Sequence, residues 1–298
     1  MCSILGYSKQ AYYKQRRTQE RKGVQEHLIV GLISKKREIW KRGSGRNLFK
    51  SLEKEFEEHG IKIGRDKFFD LLRRNKLLKN LRRRKITTTD SYHRYHKYPN
   101  LIREKVPLKA NEIWVSDITY LWLRDEPGFC YLFIITDLYS RKIIGYYVSR
   151  TLQATGAVTS LSMAMKGIQP DELENCIHHS DRGIQYCCDQ YIAALVDKKL
   201  LISMTENSDP LENAVAERIN KTIKEEFTDD KELSFKDFAE ASKEIKKFIH
   251  FYNTHRPHSS INWLTPGAAY LLEGELKRQW KNYNRRKKMG SFVEASKL

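Results

Sequence analysis

"EIWVSDITYLWL", residues 112–123, decides the fold. Side chains alternate across a strand, so Val115, Asp117 and Thr119 share one face and Trp114, Ile118, Tyr120 and Trp122 the other. A strand apolar on both faces belongs at the centre of a sheet that is covered on both sides. A carboxylate in such a strand is costly unless a cation or hydrogen-bond donors meet it, so Asp117 needs a reason to be there. Asp125, beside Pro127-Gly128, and Asp137, heading the turn "DLYSRK", are ordinary turn acids and need none.

Downstream, "CYLFIITDLYS" (130–140) and "KIIGYYVS" (142–149) read as two further strands joined by a tight turn. A helix ("ATGAVTSLSMAMKGI"), a strand ("CIHHSD"), a helix ("DQYIAALVDKKL") and a short strand ("LISMT") follow. A long helix then opens at Asp209-Pro210, with Asp as N-cap, Pro at N1 and Glu212 at N3. A last helix, 235–253, closes at "THRPH". Antiparallel strands followed by alternating helices and strands predict an α/β mixed sheet with helices on both faces.

Upstream of residue 107 the pattern is helical and basic. Val24, Leu28, Leu32 and Ile39 mark one helix. Leu48, Leu52 and Phe56 mark a second, closed by Gly60. A third has Phe68, Leu71 and Leu72 inward and Arg65, Lys67, Arg73 and Arg74 outward, the form of a DNA-binding helix-turn-helix. The expected organisation is a helical DNA-binding region at 1–78, with the helix-turn-helix at about 41–78. A basic linker at 79–106 is read as a solvated tether or one lying on phosphates. An α/β core at 107–270 and a basic tail at 271–298 complete the chain. The linker carries Arg82, Arg83 and Arg84; the tail interleaves Trp280 and Tyr283 with seven cations in Lys277–Lys288, either a solubilising end or a DNA clamp.

The chain has 55 Lys+Arg against 37 Asp+Glu, a net charge of +18 over 298 residues, which points to a polyanionic partner. No apolar run is long enough to span a bilayer, and the start, "MCSILGYSKQ", lacks the apolar core of a signal peptide. Five cysteines without a CxxC pair suit a reducing cytoplasm better than a disulfide framework or a zinc site.

Two more acids stand out. Asp181, in "HHSDRGIQY" (178–186), ends a strand at a turn in which Asp bonds its own backbone two residues on and Gly183 supplies a positive φ. Glu217 lies on a helix face with Ala214, Lys221 and Lys224, away from the apolar stripe Leu211, Val215, Ile219 and Ile223. Local pattern alone reads that face as a solvated one with Glu–Lys pairs. Three acids on two strand ends and a helix suit phosphodiester cleavage, in which two Mg²⁺ ions on hard oxygen ligands activate the nucleophile and relieve the leaving oxygen.

Thirty-five residues separate Asp181 from Glu217 (217 − 181 − 1), the Asp-35-Glu spacing of retroviral integrases and insertion-sequence transposases. With "NEIWVSDITYLW", "HHSDRGIQYCC", "ENAVAERINKTIKEEF" and "FYNTHRPHSSINWLTP", the chain resembles the second-frame (OrfB) transposases of the IS-three family from its N-terminus to Pro266. The resemblance implies an RNase H-like mixed five-stranded sheet with helices on both faces, preceded by an all-α helix-turn-helix domain. It implies Asp117, Asp181 and Glu217 as the catalytic and metal-binding triad for Mg²⁺ or Mn²⁺, two ions. Trp114, Thr119, Tyr120, Arg182, Gly183, Gln185, Asn213 and Arg256-Pro257-His258 fall at its supporting positions. Ser208 and Glu212 depart from its commonest pattern.

The expected activity is metal-dependent cleavage at element ends and strand transfer. The partners are double-stranded DNA (terminal inverted repeats and target), further copies of the chain on DNA, and a first-frame (OrfA) product as partner or fusion, with no membrane and a cytoplasmic, nucleoid-associated setting. DNA contacts are expected from Arg65, Lys67, Arg73, Arg74, Arg82, Arg83, Arg84, Lys221, Lys224, Arg256 and His258. The rival reading is a DNA-binding regulator with an inactive integrase-like domain.

Overall fold

A computed structural model describes residues 8–78, 94–103, 105–126, 128–206, 213–227 and 234–279. Four helices come first: α1 (Lys9–Ile39), α2 (Gly45–Ser51), α3 (Glu53–Glu58) and α4 (Arg65–Arg74). Then come β1 (Ile113–Leu123), β2 (Phe129–Asp137), β3 (Ile143–Ser149), α5 (Ala154–Ala164), β4 (Ile177–Ser180), α6 (Ile184–Cys187), α7 (Asp189–Asp197) and β5 (Leu201–Met204). The order ends with α8 (Ala214–Glu226), β6 (Ser234–Phe235), α9 (Phe238–Thr254) and α10 (Pro266–Ala269). Among the described residues no helix is long and apolar enough to cross a membrane.

The five main strands are ordered β3-β2-β1-β4-β5, antiparallel on the β3-β2-β1 side and parallel from β1 to β5. This is the expected RNase H-like mixed sheet; the two-residue β6 adds beside the end of β1, parallel to it. β1 is central, as its two apolar faces predict. On one face Trp114, Phe133 and Ile135 pack against Ala157 and Leu161 of α5 and Tyr191 and Leu195 of α7. A Cβ on Gly145 of β3 would lie 2.2 Å from the Ser160 carbonyl oxygen, so glycine is what lets α5 approach so closely. The other face sends Leu121, Leu132 and Ile134 into a cluster with Ile219 and Ile223 of α8 and Ile245, Phe248 and Tyr252 of α9.

That second cluster does not stop at the catalytic core. It continues through Ile29, Ile33, Trp40, Leu48, Phe56, Phe68 and Leu72, so the N-terminal helices share a core with α8 and α9. The Trp40 indole N–H donates to Glu226 Oε2 at 2.7 Å, and the Arg42 amide donates to the Glu226 carbonyl oxygen at 2.8 Å.

Several expectations change. In α1 the buried residues are Ile29 and Ile33, while Val24, Leu28 and Ile39 are exposed, because the helix turns its Ile29–Ile33–Trp40 side to the core. The second predicted helix is two, α2 and α3, broken at Leu52, and Gly60 does cap it with a positive φ of 63°. α4 has the expected inward Phe68, Leu71 and Leu72. Of the linker, residues 79–93, with Arg82, Arg83 and Arg84, lie outside the described residues. Its later part is no free tether. The Asn100 and Leu101 amides donate to Glu206 Oε1 and Ser203 Oγ, and the Met204 amide to the Pro99 carbonyl, which ties this segment along β5. Most of the tail, residues 280–298, and the expected helix opening at Asp209–Glu212, with Ser208 before it, also lie outside the described residues.

Candidate active site

β1 and β4 run parallel with a constant offset: Ile113 is beside Ile177, Trp114 beside His178 and Val115 beside His179. The pairing ends there, two residues before Asp117 on β1 and two before Asp181 on the β4 side. β4 ends at Ser180, so Asp181 stands at the mouth of the sheet.

The chain then turns as expected, with one difference. The Gly183 amide donates to Asp181 Oδ1 at 3.0 Å, the bond of an Asp turn. Gly183 itself has φ −66° and ψ 145°, an ordinary extended conformation, so positive φ is not why glycine is there. Space is the reason. A Cβ at Gly183 would sit 3.0 Å from Asp181 Oδ1 and push on the carboxylate. On the expected role of Asp181, Gly183→Ala should fold with nearly unchanged melting yet lose roughly tenfold in strand cleavage, because a sub-ångström displacement of that carboxylate is costly. Thermal melts alongside a cleavage assay check this; unchanged cleavage would show that Asp181 tolerates the shift.

The third acid comes from α8. The Asn213 side-chain amide donates to the Ser116 carbonyl at 3.1 Å, pinning the start of the helix to β1 one residue before Asp117. Glu217 follows in the first described turn, exposed, its amide donating to the Asn213 carbonyl. One turn on, Asn220 Nδ2 donates to Asp117 Oδ2 at 2.7 Å, while the Ile118 amide donates to Oδ1 at 2.8 Å.

Burial pushes the Asp117 carboxyl up to about 7, the charge of Asp181 adds to this, the two donors oppose it, and Glu217 raises it further. The structure thus brings all three predicted acids into one electrostatic neighbourhood. Among the described residues no three His, Cys, Asp or Glu side chains already form a group that could hold a metal ion. Neighbouring donors hold the Asp117 and Asp181 oxygens. The donor set is all oxygen, which suits a hard divalent cation such as Mg²⁺.

Lys224 is within reach of the Asp117 charge, which raises its pKa against the larger lowering by burial. Lys221 is exposed and pairs with Glu225 at 3.7 Å. The histidine pair is structural. His178 Nε2 lies 3.1 Å from Ser116 Oγ and 2.9 Å from Tyr191 Oη, and His179 Nδ1 lies 2.8 Å from Ser203 Oγ, all buried beneath the acids. Burial lowers the His178 pKa to about 3, so the ring stays neutral. Asp137 is also a turn acid as expected, but fully buried, accepting from the Asn111 and Ser140 amides and the Ser140 hydroxyl.

Among the expected DNA contacts, Arg65, Lys67, Arg73 and Arg74 are exposed on or beside the outer side of α4, with Arg65, Arg73 and Arg74 in surface pairs with Asp66, Asp70 and Glu26. Arg256 is turned inward, and the partly exposed His258 is held against it. Arg256 is 5% exposed, its Nε and Nη2 each 2.8 Å from the two oxygens of Glu226, and its Nη1 donates to His258 Nε2 at 2.7 Å. The loop carries an arginine because a buried carboxylate needs one, not because a phosphate is near. Sequence reasoning missed Glu226 and Asn220. Only the spacing of Asn220, three residues after Glu217 on one helix, could have pointed to it.

Two models described as integrase core domain match residues 107–210 and 198–266. The chain is 31% identical over 273 residues to the insertion element IS600 uncharacterized 31 kDa protein of Shigella sonnei, covering 90% of this chain and 96% of that one. It is 34% identical over 170 residues to the transposase for insertion sequence element IS904 of Lactococcus lactis, covering 56% and 65%. It is 29% identical over 212 residues to the transposase for insertion sequence element IS629 of Shigella sonnei, covering 70% and 69%.

Proposed function

The chain belongs to the insertion-sequence transposases with an integrase core domain, a metal-dependent family that acts in DNA transposition, and from that premise we propose how its residues divide the work. Asp117, Asp181 and Glu217 would hold the divalent cations, Mg²⁺ or Mn²⁺, two ions in this reading. When bound, these ions supply an activated oxygen nucleophile and relieve charge on the leaving oxygen. The observation that supports this reading is that the charges of Asp181 and Glu217 both reach the Asp117 carboxyl.

The protein's own groups do the positioning. Asn220 and the Ile118 amide fix the Asp117 carboxylate, and the Gly183 amide fixes that of Asp181. Lys224, which feels the charge of Asp117, is assigned to a phosphate. The outward cations of α4 contact the terminal inverted repeats, and linker cations Arg82, Arg83 and Arg84 contact phosphates. Cleavage at an element end frees a 3′-hydroxyl, which attacks a second phosphodiester in the target. Several copies act together on DNA, with a first-frame product as a further partner.

Metal exchange tests this reading. With a labelled duplex of the element's terminal repeat, cleavage and joining are expected in Mg²⁺ or Mn²⁺ and lost on chelation. Ca²⁺ should sustain binding with little chemistry, since its looser coordination misplaces the reacting oxygen. Cleavage that survives exhaustive chelation would refute the assignment of the three acids.

A further inference from the structure

The sheet face opposite Asp117 is only half covered. Cross-strand pairing places Ile118 beside Phe133 and Tyr147, Tyr120 beside Tyr131, and Trp122 beside Phe129, all on this face. Under α5 and α7 the face is closed, and Trp114 and Phe133 are fully buried. Past the start of α5 the strands carry exposed aromatic side chains on this face. There Trp122 is 39% exposed, Phe129 43% and Tyr147 41%, with Tyr120 and Tyr131 partly buried. Their rings meet edge to face, with centroids 5.0 Å apart for Trp122–Phe129, 5.1 Å for Tyr120–Tyr131 and 5.9 Å for Tyr120–Phe129. An exposed aromatic surface on central strands marks a binding site.

The surface lies further along the strand that carries Asp117, on its opposite face. Tyr120 is three residues along β1 from Asp117, and the Asp181 charge reaches its hydroxyl. Tyr120 and Trp122, two residues apart on one strand face, are separated by about 6.7 Å, twice the 3.4 Å rise per base of a stacked strand. That spacing fits bases splayed from one another, not a closed duplex, whose base faces are already covered. In a chain of net charge +18 acting on DNA, the fitting occupant of such a face is a strand of unpaired nucleotides.

We infer that Tyr120, Trp122, Phe129 and Tyr131 form a stacking platform for unpaired bases of the DNA strand handled at the Asp117–Asp181 cleft. The platform takes unpaired bases of that strand further from the cleft, on the sheet face opposite the one where Asp117 meets α8. This rests on the DNA-transposition reading, and the test separates the two.

The full-length protein is titrated with a blunt duplex and with the same duplex carrying a short single-stranded extension that contains 2-aminopurine. Wild-type protein should prefer the extended duplex and quench the 2-aminopurine fluorescence. The Trp122→Ala/Phe129→Ala double variant should lose roughly tenfold or more of affinity for the extended duplex while blunt-duplex affinity holds within about twofold. Trp122→Phe, which keeps a ring, should retain both preference and quenching. Equal affinity of wild type for the two duplexes, absence of quenching, or a preference that survives in the alanine variant would overturn the platform. A shift of the alanine variant from oligomer to monomer with its preference intact would give the face to a second copy of the chain and also overturn it. If wild type binds neither duplex, the DNA reading itself fails.

Discussion

Asp117→Asn, Asp181→Asn and Glu217→Gln are each expected to lower strand cleavage and joining by more than about a thousandfold, on the order of 4 kcal/mol of transition-state stabilisation. On the proposed assignment each change deletes a charged oxygen ligand and adds nothing repulsive to phosphate, so affinity for DNA should persist. Joining at a near wild-type rate by any one variant would remove that residue from the triad. Asp117→Asn carries a second expectation, opposite in sign. The folded carboxyl is raised from 3.8 to about 7, first by burial and then by Asp181. An acid with a raised folded pKa costs stability above its unfolded value, and the cost grows until the pH passes the folded value. Replacing it with a neutral isostere should therefore stabilise the metal-free protein by roughly 1–3 kcal/mol at pH 8 and by almost nothing near pH 4. Melting curves at the two pH values check this; a variant less stable than wild type at pH 8 would show that the charge is better compensated than its surroundings suggest.

Arg256→Ala is expected to cost about 3–5 kcal/mol of stability, because it removes both guanidinium bonds from the buried Glu226 carboxylate. For a chain of this size that is a fall in Tm on the order of 10 °C. Arg256→Lys should recover part of the loss, since one ammonium cannot reproduce the two parallel bonds of the guanidinium. If Arg256 served DNA instead, the alanine variant would melt like wild type and lose affinity in a salt-dependent way. The two phenotypes do not overlap.

Much of this architecture was legible in the residues. β1 could be read as central because Trp114 and Val115 point opposite ways and both are apolar, and Asp117 stood out because such a strand has no ordinary use for a carboxylate. Glu217 was harder. Its helix face carries Lys221 and Lys224, a pattern shared by any solvated helix, and only the spacing to Asp181 singled it out. Asn220, Glu226 and Arg256 were hidden for a different reason. Their partners are far away in the chain, Asp117 for Asn220 and Glu226 for Arg256, and no local pattern reports which distant group a polar side chain will meet. The direction of α1 was misread because Val24, Leu28 and Ile39 are apolar yet exposed, and hydrophobicity alone does not say which stripe of a long helix finds the core. Gly183 was assigned the usual role of glycine, a left-handed turn, when its neighbour's carboxylate was what needed the room.

The grip of Trp40 and Arg42 on Glu226 sets a rule for anyone who would retarget this enzyme by exchanging its N-terminal helices. A graft cut between residues 78 and 94 follows the apparent joint in the chain but carries Trp40 away with the donor. It would leave the side-chain oxygen that takes the indole N–H without that donor, at the far end of the helix that bears Glu217. A workable junction keeps Trp40 to Arg42 with the recipient, or exchanges only the surface of α4, where Arg65, Lys67, Arg73 and Arg74 stand clear of the shared core.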